Sequence, residues 1–138
     1  MANEASIIEL FGEGSSKGRP IRFTVADATA LTKGTVMVNT DPRTMVAHSA
    51  ADQPFCGILA AGKAALDTAV SIAVYTDGIF DMTAAAAGVT AVGAMVATSG
   101  TANMTTAADA ADLLQGSYVG HVLESQANDE RSAVRVNR

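Results

Sequence analysis

The sequence predicts an all-β fold of the barrel or sandwich kind, with at most one short helix. Apolar and polar residues alternate with period two along most of the chain, as half-buried strands require. Gly, Pro and Asp punctuate these runs at short intervals. One stretch alone carries helix start and stop signals. Many short strands joined by close turns fit a barrel or sandwich rather than βαβ units. At 138 residues the chain can bury a single hydrophobic core.

Taken in order, Ile7, Ile8, Leu10 and Phe11 come first, ahead of a Gly/Ser-rich stretch. Residues 1–20 read as an N-terminal arm or as a first strand, with a flexible linker, and residues 21–138 as one β domain. Ile21, Phe23 and Val25 share one face of a strand, with Arg22 and Thr24 on the other. Val36 and Val38 pattern the next. After Asp41-Pro42, Met45 and Ala47 oppose Val46 and His48. Residues 55–61 form a short apolar run of strand length.

The stretch SIAVYTDGIFDM, 71–82, sets Asp77-Gly78 between two alternating runs. That dipeptide predicts a two-residue hairpin with a type I′ turn, since both residues tolerate φ > 0. Asp81 then lies opposite Phe80 and Met82, towards solvent or a partner. The two carboxylates read as a turn residue and a surface residue, not a working pair.

Residues 84–87 read as a loop. TTAADAADLLQG, 105–116, predicts the helix, with Thr106 as N-cap, Asp109 in the first turn and Gly116 as the stop. Strands return over 117–124 and 132–136, with Val134 and Val136 inward and Arg135 outward. His121 alternates onto the face of Val119 and Leu123.

Composition narrows the function. Apolar residues make up 49% of the chain but aromatics only 4%, with no Trp. Ala and Val each bury little area, so a monomer's core is thin and association with further copies adds burial. The net charge of −5 argues against a nucleic-acid binder, because phosphate neutralisation needs clustered cations. The nine Lys and Arg include Lys17, Arg19 and Arg22 near the start and Arg131, Arg135 and Arg138 at the end. Two readings fit them: flanks that keep strands soluble, or a basic patch meeting an acidic protein surface. Lone Cys56 reads as a buried small hydrophobe. No signal peptide or membrane span is expected, and the chain is expected to be made in a cytoplasm and stay soluble. Asn103-Met104-Thr105 matches a glycosylation sequon, which matters only in a secretory compartment.

The residues that chemistry needs are missing. GEGSSKG, 12–18, lacks the Gly-Lys pair and following hydroxyl of a phosphate loop, and reads as a linker. His48 sits on a strand as a surface or interface residue, and His121 as a satisfied, partly buried one. Neither belongs to a short metal-ligand cluster, and no Ser has nucleophile-elbow spacing. No cofactor or metal is expected.

GRPIRFTVADATALTKGTVMVNTDPRT (18–44), FCGI (55–58), YTDGIF (75–80) and GSYVGHVLES…SAVRVNR (116–138) together resemble the capsid decoration, or head cement, proteins of tailed phages. Such proteins are often labelled RecA/RadA-family phage recombinases. That label fits this chain poorly, since it lacks a phosphate loop, a cationic DNA face and the necessary length. The resemblance implies a small β-barrel-like (β-tulip) domain that is not an enzyme. It implies a homotrimer on the outer surface of the expanded capsid, clamping neighbouring major capsid subunits, with neither nucleic acid nor membrane as partner. Ile7, Ile8, Leu10, Phe11, Arg19 and Arg22 are the candidate capsid-binding residues. Two rivals stand beside it. One is a tail or baseplate module binding host carbohydrate. The other is an enzyme site assembled between subunits from His48, His121 and scattered Asp residues.

Overall fold

In a computed structural model, residues 3–11, 20–85 and 91–137 are described. Among these residues eleven strands and one short helix make two closed β units. The first is a barrel of β2 (Ile21–Thr24), β3 (Val36–Asp41), β4 (Thr44–Ala47), β5 (Phe55–Leu59) and β6 (Ser71–Tyr75), ordered β2-β4-β3-β5-β6. The second contains β1 (Ser6–Glu9), β7 (Asp77–Ala84), β8 (Met95–Thr98), β9 (Met104–Ala107), β10 (Tyr118–Val122) and β11 (Arg131–Asn137). Its order is β1-β7-β11-β10-β8-β9, and β7 also pairs in parallel with β9 through Thr83 and Ala84, so the sheet curls back on itself. The all-β, barrel-like class read from the sequence is the class observed.

Two apolar clusters hold the units together. Met37, Met45, Cys56, Leu59, Ile72 and Val74 fill the first barrel. Val36, Phe55 and Ile58, on the same strands β3 and β5, turn outward to join Phe80, Met82, Val119, Val134 and Val136 in a shared core. Strands buried on both faces lose their alternation, which is why 55–59 reads as an unbroken apolar run. In β11 one face alone is buried, and Val134 and Val136 lie inside with Arg135 exposed, as the alternation predicts.

Four expectations are corrected. Asp77-Gly78 is not a hairpin: β6 pairs with β2 and β5, whereas β7 pairs with β1, β11 and β9. Only Thr76 separates β6 from β7, and there the chain passes from one unit to the other. Gly78 serves close approach instead, because a Cβ there would lie 2.9 Å from the Glu9 carbonyl oxygen. Asp81 does face outward, paired with Arg131, while Phe80 and Met82 are fully buried.

The N-cap of α1 (Ala110–Gln115) is Asp109, not Thr106, whose backbone belongs to β9. Asp109 accepts from the Ala111 and Asp112 amides, and Asp112 reciprocates on the Asp109 amide at 2.7 Å, a capping box. Gly116 ends the helix at φ 79°, as expected. Further along, a bulge between Tyr118 and Gly120 shifts the register, so that Val119 and Val122 are both buried. His121 therefore shares the face of Tyr118 rather than that of Val119.

His48 is not a surface residue; it is 1% exposed. Its Nδ1 accepts from the Asn103 amide at 3.1 Å, and its Nε2–H donates to the carbonyls of Ala50 and Ser99, each at 2.9 Å. Asn103 Oδ1 in turn accepts from the Val36 amide at 3.0 Å. The imidazole thus ties β4 to the β8–β9 turn across the boundary between the units. Burial lowers its pKa, because the cation would lose water and one of these bonds. Asn103, the sequon residue, is buried within the same network.

Candidate functional site

The candidate capsid-binding residues fall into two places. Ile7 and Ile8 lie on β1, the edge strand of the second unit, 38% and 54% exposed. β1 runs antiparallel to β7, with Ser6 opposite Asp81 and Ile7 opposite Phe80. Its other edge carries no strand among the described residues, leaving backbone groups able to pair. Leu10 packs half-buried against the shared core, so it belongs partly to the fold. Phe11 is half-buried beneath the Arg135 guanidinium, which lies 5.3 Å from its ring centroid. Arg22 stands exposed on β2 of the first barrel, and its carbonyl accepts from Arg43 Nη2 at 2.7 Å. Arg19, Lys17 and the Gly/Ser stretch lie outside the described residues, as does Arg138.

A groove of about 530 Å³ runs beside β1, lined by Glu4–Ile7, Thr32–Gly34, Ile58 and Leu59. The Ala5 amide closes one end by donating to the Gly34 carbonyl at 2.8 Å. Arg131 fixes β1 from the opposite side. Its Nε donates to Asp81 Oδ2 at 2.9 Å, and its Nη2 to the Glu4 carbonyl, the Ser6 hydroxyl and the Asp81 carbonyl. A side chain so engaged orders the edge and has little left for a partner.

The histidines of the enzyme reading occupy unlike settings. His48 is locked inside by three backbone groups, while His121 sits partly buried on β10, 3.0 Å from the Tyr118 hydroxyl. Among the described residues, no group of three or more His, Cys, Asp or Glu could hold a metal ion. No helix among them is long and apolar enough to cross a membrane.

Sequence reading missed the cluster around Arg135. Tyr118, His121 and Asn137 stand beside it, with the Tyr118 hydroxyl 3.2 Å from Asn137 Oδ1. The signal was present in part, since alternation had turned Arg135 outward. The bulge in β10, which brings Tyr118 and His121 to that face, leaves no mark in a period-two pattern.

An edge strand with exposed isoleucines, an adjoining groove and a cationic–aromatic face are the features that these residues bring together. Residues 15–138 match the phage cement protein family, and the chain belongs to that family. It is therefore a capsid-stabilising structural protein of a phage virion, and the recombinase label finds no support. No curated protein matches the chain. The match begins after Phe11, so β1 and the four apolar candidates precede the matched residues.

Proposed function

We propose that the protein binds the outer surface of the expanded capsid as a homotrimer and clamps neighbouring major capsid subunits. Family membership over residues 15–138 carries this reading. The structure supports it with one feature above all: β1, an edge strand exposing Ile7 and Ile8, offers unpaired backbone beside a groove. An extended capsid segment can add there as a further strand, taking main-chain hydrogen bonds from β1 and seating side chains in the groove. Each contact is modest. Repetition over a lattice, and threefold within a trimer, converts modest contacts into a durable shell through avidity. Arg22, exposed on β2, and Arg19 near it in sequence are further candidates for this contact.

Co-sedimentation with the parent phage's capsids, comparing expanded shells with unexpanded precursors, tests this. Saturable binding to expanded shells alone is expected, with a copy number set by the threefold sites. Absence of binding to either form removes the capsid reading and moves a tail or baseplate role ahead. Light scattering on the free protein reports separately whether the trimer forms before it meets the shell.

A further inference from the structure

A row of outward side chains crosses the second unit. Ile79 on β7 lies opposite Arg135 on β11, Arg135 opposite His121 on β10, and His121 opposite Met95 on β8. Arg135 is exposed and stacks on Phe11. Next to it the Tyr118 hydroxyl donates to Asn137 Oδ1 at 3.2 Å, and so accepts from His121 Nδ1 at 3.0 Å. The two rings meet edge to face at 80°. This chain of bonds fixes the imidazole and leaves its Nε2 without a partner among the described residues.

Among the described cations Arg131 alone pairs with a carboxylate, Asp81; Arg22, Lys33, Arg43, Lys63 and Arg135 do not, and Lys63 and Arg43 donate to backbone carbonyls. What sets Arg135 apart is its neighbourhood, with Phe11 on one side and His121 opposite it on the next strand. Arg135 has no carboxylate among the described residues, although the chain carries 14 acidic side chains against nine basic ones. The acids facing the same way are Glu9, opposite Ile79, Asp77, opposite Asn137, and Asp81, opposite Ala133 and held by Arg131. By strand spacing Glu9 stands two strands away, about 10 Å.

We propose that this face, with Arg135 laid on Phe11 beside the His121–Tyr118–Asn137 chain, docks a carboxylate-bearing segment of the major capsid subunit. The inference rests on the capsid-binding reading and adds the chemistry of the partner. A guanidinium held over a ring on one side leaves its N–H fork on the other for bidentate pairing with a carboxylate. Arg, Tyr, Phe and Met are the residue types enriched at interface centres. An uncharged partner would strip water from the guanidinium without replacing it, which is unfavourable. Nucleic acid would meet the repulsion of a chain carrying net charge −5. A local carboxylate on a protein meets neither objection.

The test is sedimentation of wild type, Arg135→Gln and Arg135→Lys with expanded shells, and with shells whose carboxylates are blocked as amides. Thermal melting of each variant checks the fold. Arg135→Gln is expected to melt with wild type yet bind about tenfold or more weakly. Arg135→Lys falls between, since Lys keeps the charge but not the planar fork. Blocked shells bind wild type as weakly as open shells bind Arg135→Gln. Equal binding by wild type and Arg135→Gln overturns this inference and leaves the capsid reading standing, and full binding to blocked shells overturns the acidic partner. Failure of wild type to bind any shell removes both readings together.

Discussion

The two β units bury comparable apolar residues and each closes through a short parallel pair, Thr24 with Thr44 in the first and Thr83 and Ala84 with Met104 and Thr105 in the second, but the ladders beside those seams differ. In the first barrel the seam is β2, a strand largely exposed along its length, joined to β4 by the single parallel pair of Thr24 and Thr44. In the second, β11 lies along β7 from Asp77 to Thr83, with Val134 and Val136 locked beside Phe80. The first barrel therefore leans on its interior fillers, Met37, Met45 and Leu59, and on the shared core outside it. The second carries its stability in the ladder itself and leaves its outer face free for Tyr118, His121 and Arg135. The better-braced unit carries the face proposed for docking, as a site that must hold geometry requires.

The largest test of that comparison is Phe80→Ala. Phe80 is fully buried where both units contribute apolar side chains, and its removal is expected to lower stability by about 3–5 kcal/mol. Because Val36, Phe55 and Ile58 of the first barrel share that cluster, unfolding should stay a single transition seen alike by calorimetry and circular dichroism. Two separable transitions would show that the units stand independently and that the shared core is a mere contact.

Much of this was legible in the residues, for reasons that also explain what was not. Val134, Arg135 and Val136 alternate because one face of β11 is buried and one is wet, so their orientation follows from period two. Gly116 marked the helix stop because αL backbone favours glycine. Asp77-Gly78 misled because alternation gives faces and not neighbours. The same dipeptide suits a turn or a crossing, and only the pairing of β7 with β1 and β11 decides. His48 misled because its burial depends on Asn103 and Ser99, far along the chain. Ile7, Ile8, Leu10 and Phe11 stand out in the sequence by their apolar run alone. The stacking of Phe11 under Arg135 joins opposite ends of the sequence and has no local signal.

His48 offers a finer probe, of the joint between the units. Its folded-state pKa lies below the ordinary histidine value through burial, so the unfolded chain takes up the proton first as pH falls. The stability from the neutral imidazole is present above about pH 6.5 and is lost as pH drops towards the folded-state value, by at most about 1.4 kcal/mol per pH unit. Denaturant midpoints measured from pH 8 to pH 5 should show this decline. His48→Gln should remove its pH dependence, apart from carboxylate effects at the acid end, while lowering stability at pH 8 through loss of the Asn103 amide's acceptor. An unchanged slope in the variant would place the acid sensitivity elsewhere.

The smallest effect expected is that of Asp109→Ala, which touches the joint from the other side. Asp109 holds the start of α1, and the helix ends at Gly116, whose carbonyl accepts from the Phe55 amide at 2.9 Å. Phe55 opens β5 of the first barrel, so the cap lies one short helix away from the shared core. Loss of an N-cap costs about 1 kcal/mol where the helix behaves as a local element. The expected outcome is a loss of that size, with amide exchange faster at Ala111 and Asp112 and unchanged at Phe55. Faster exchange at Phe55 as well would mean that α1 braces the first barrel. Leu113 and Leu114, 52% and 91% exposed, pack too little to spread the disturbance that far. The buried bond from Ser117 Oγ to Asp112 Oδ1, at 2.7 Å, ties the first turn of the helix to the residue before β10 and limits how far its beginning frays.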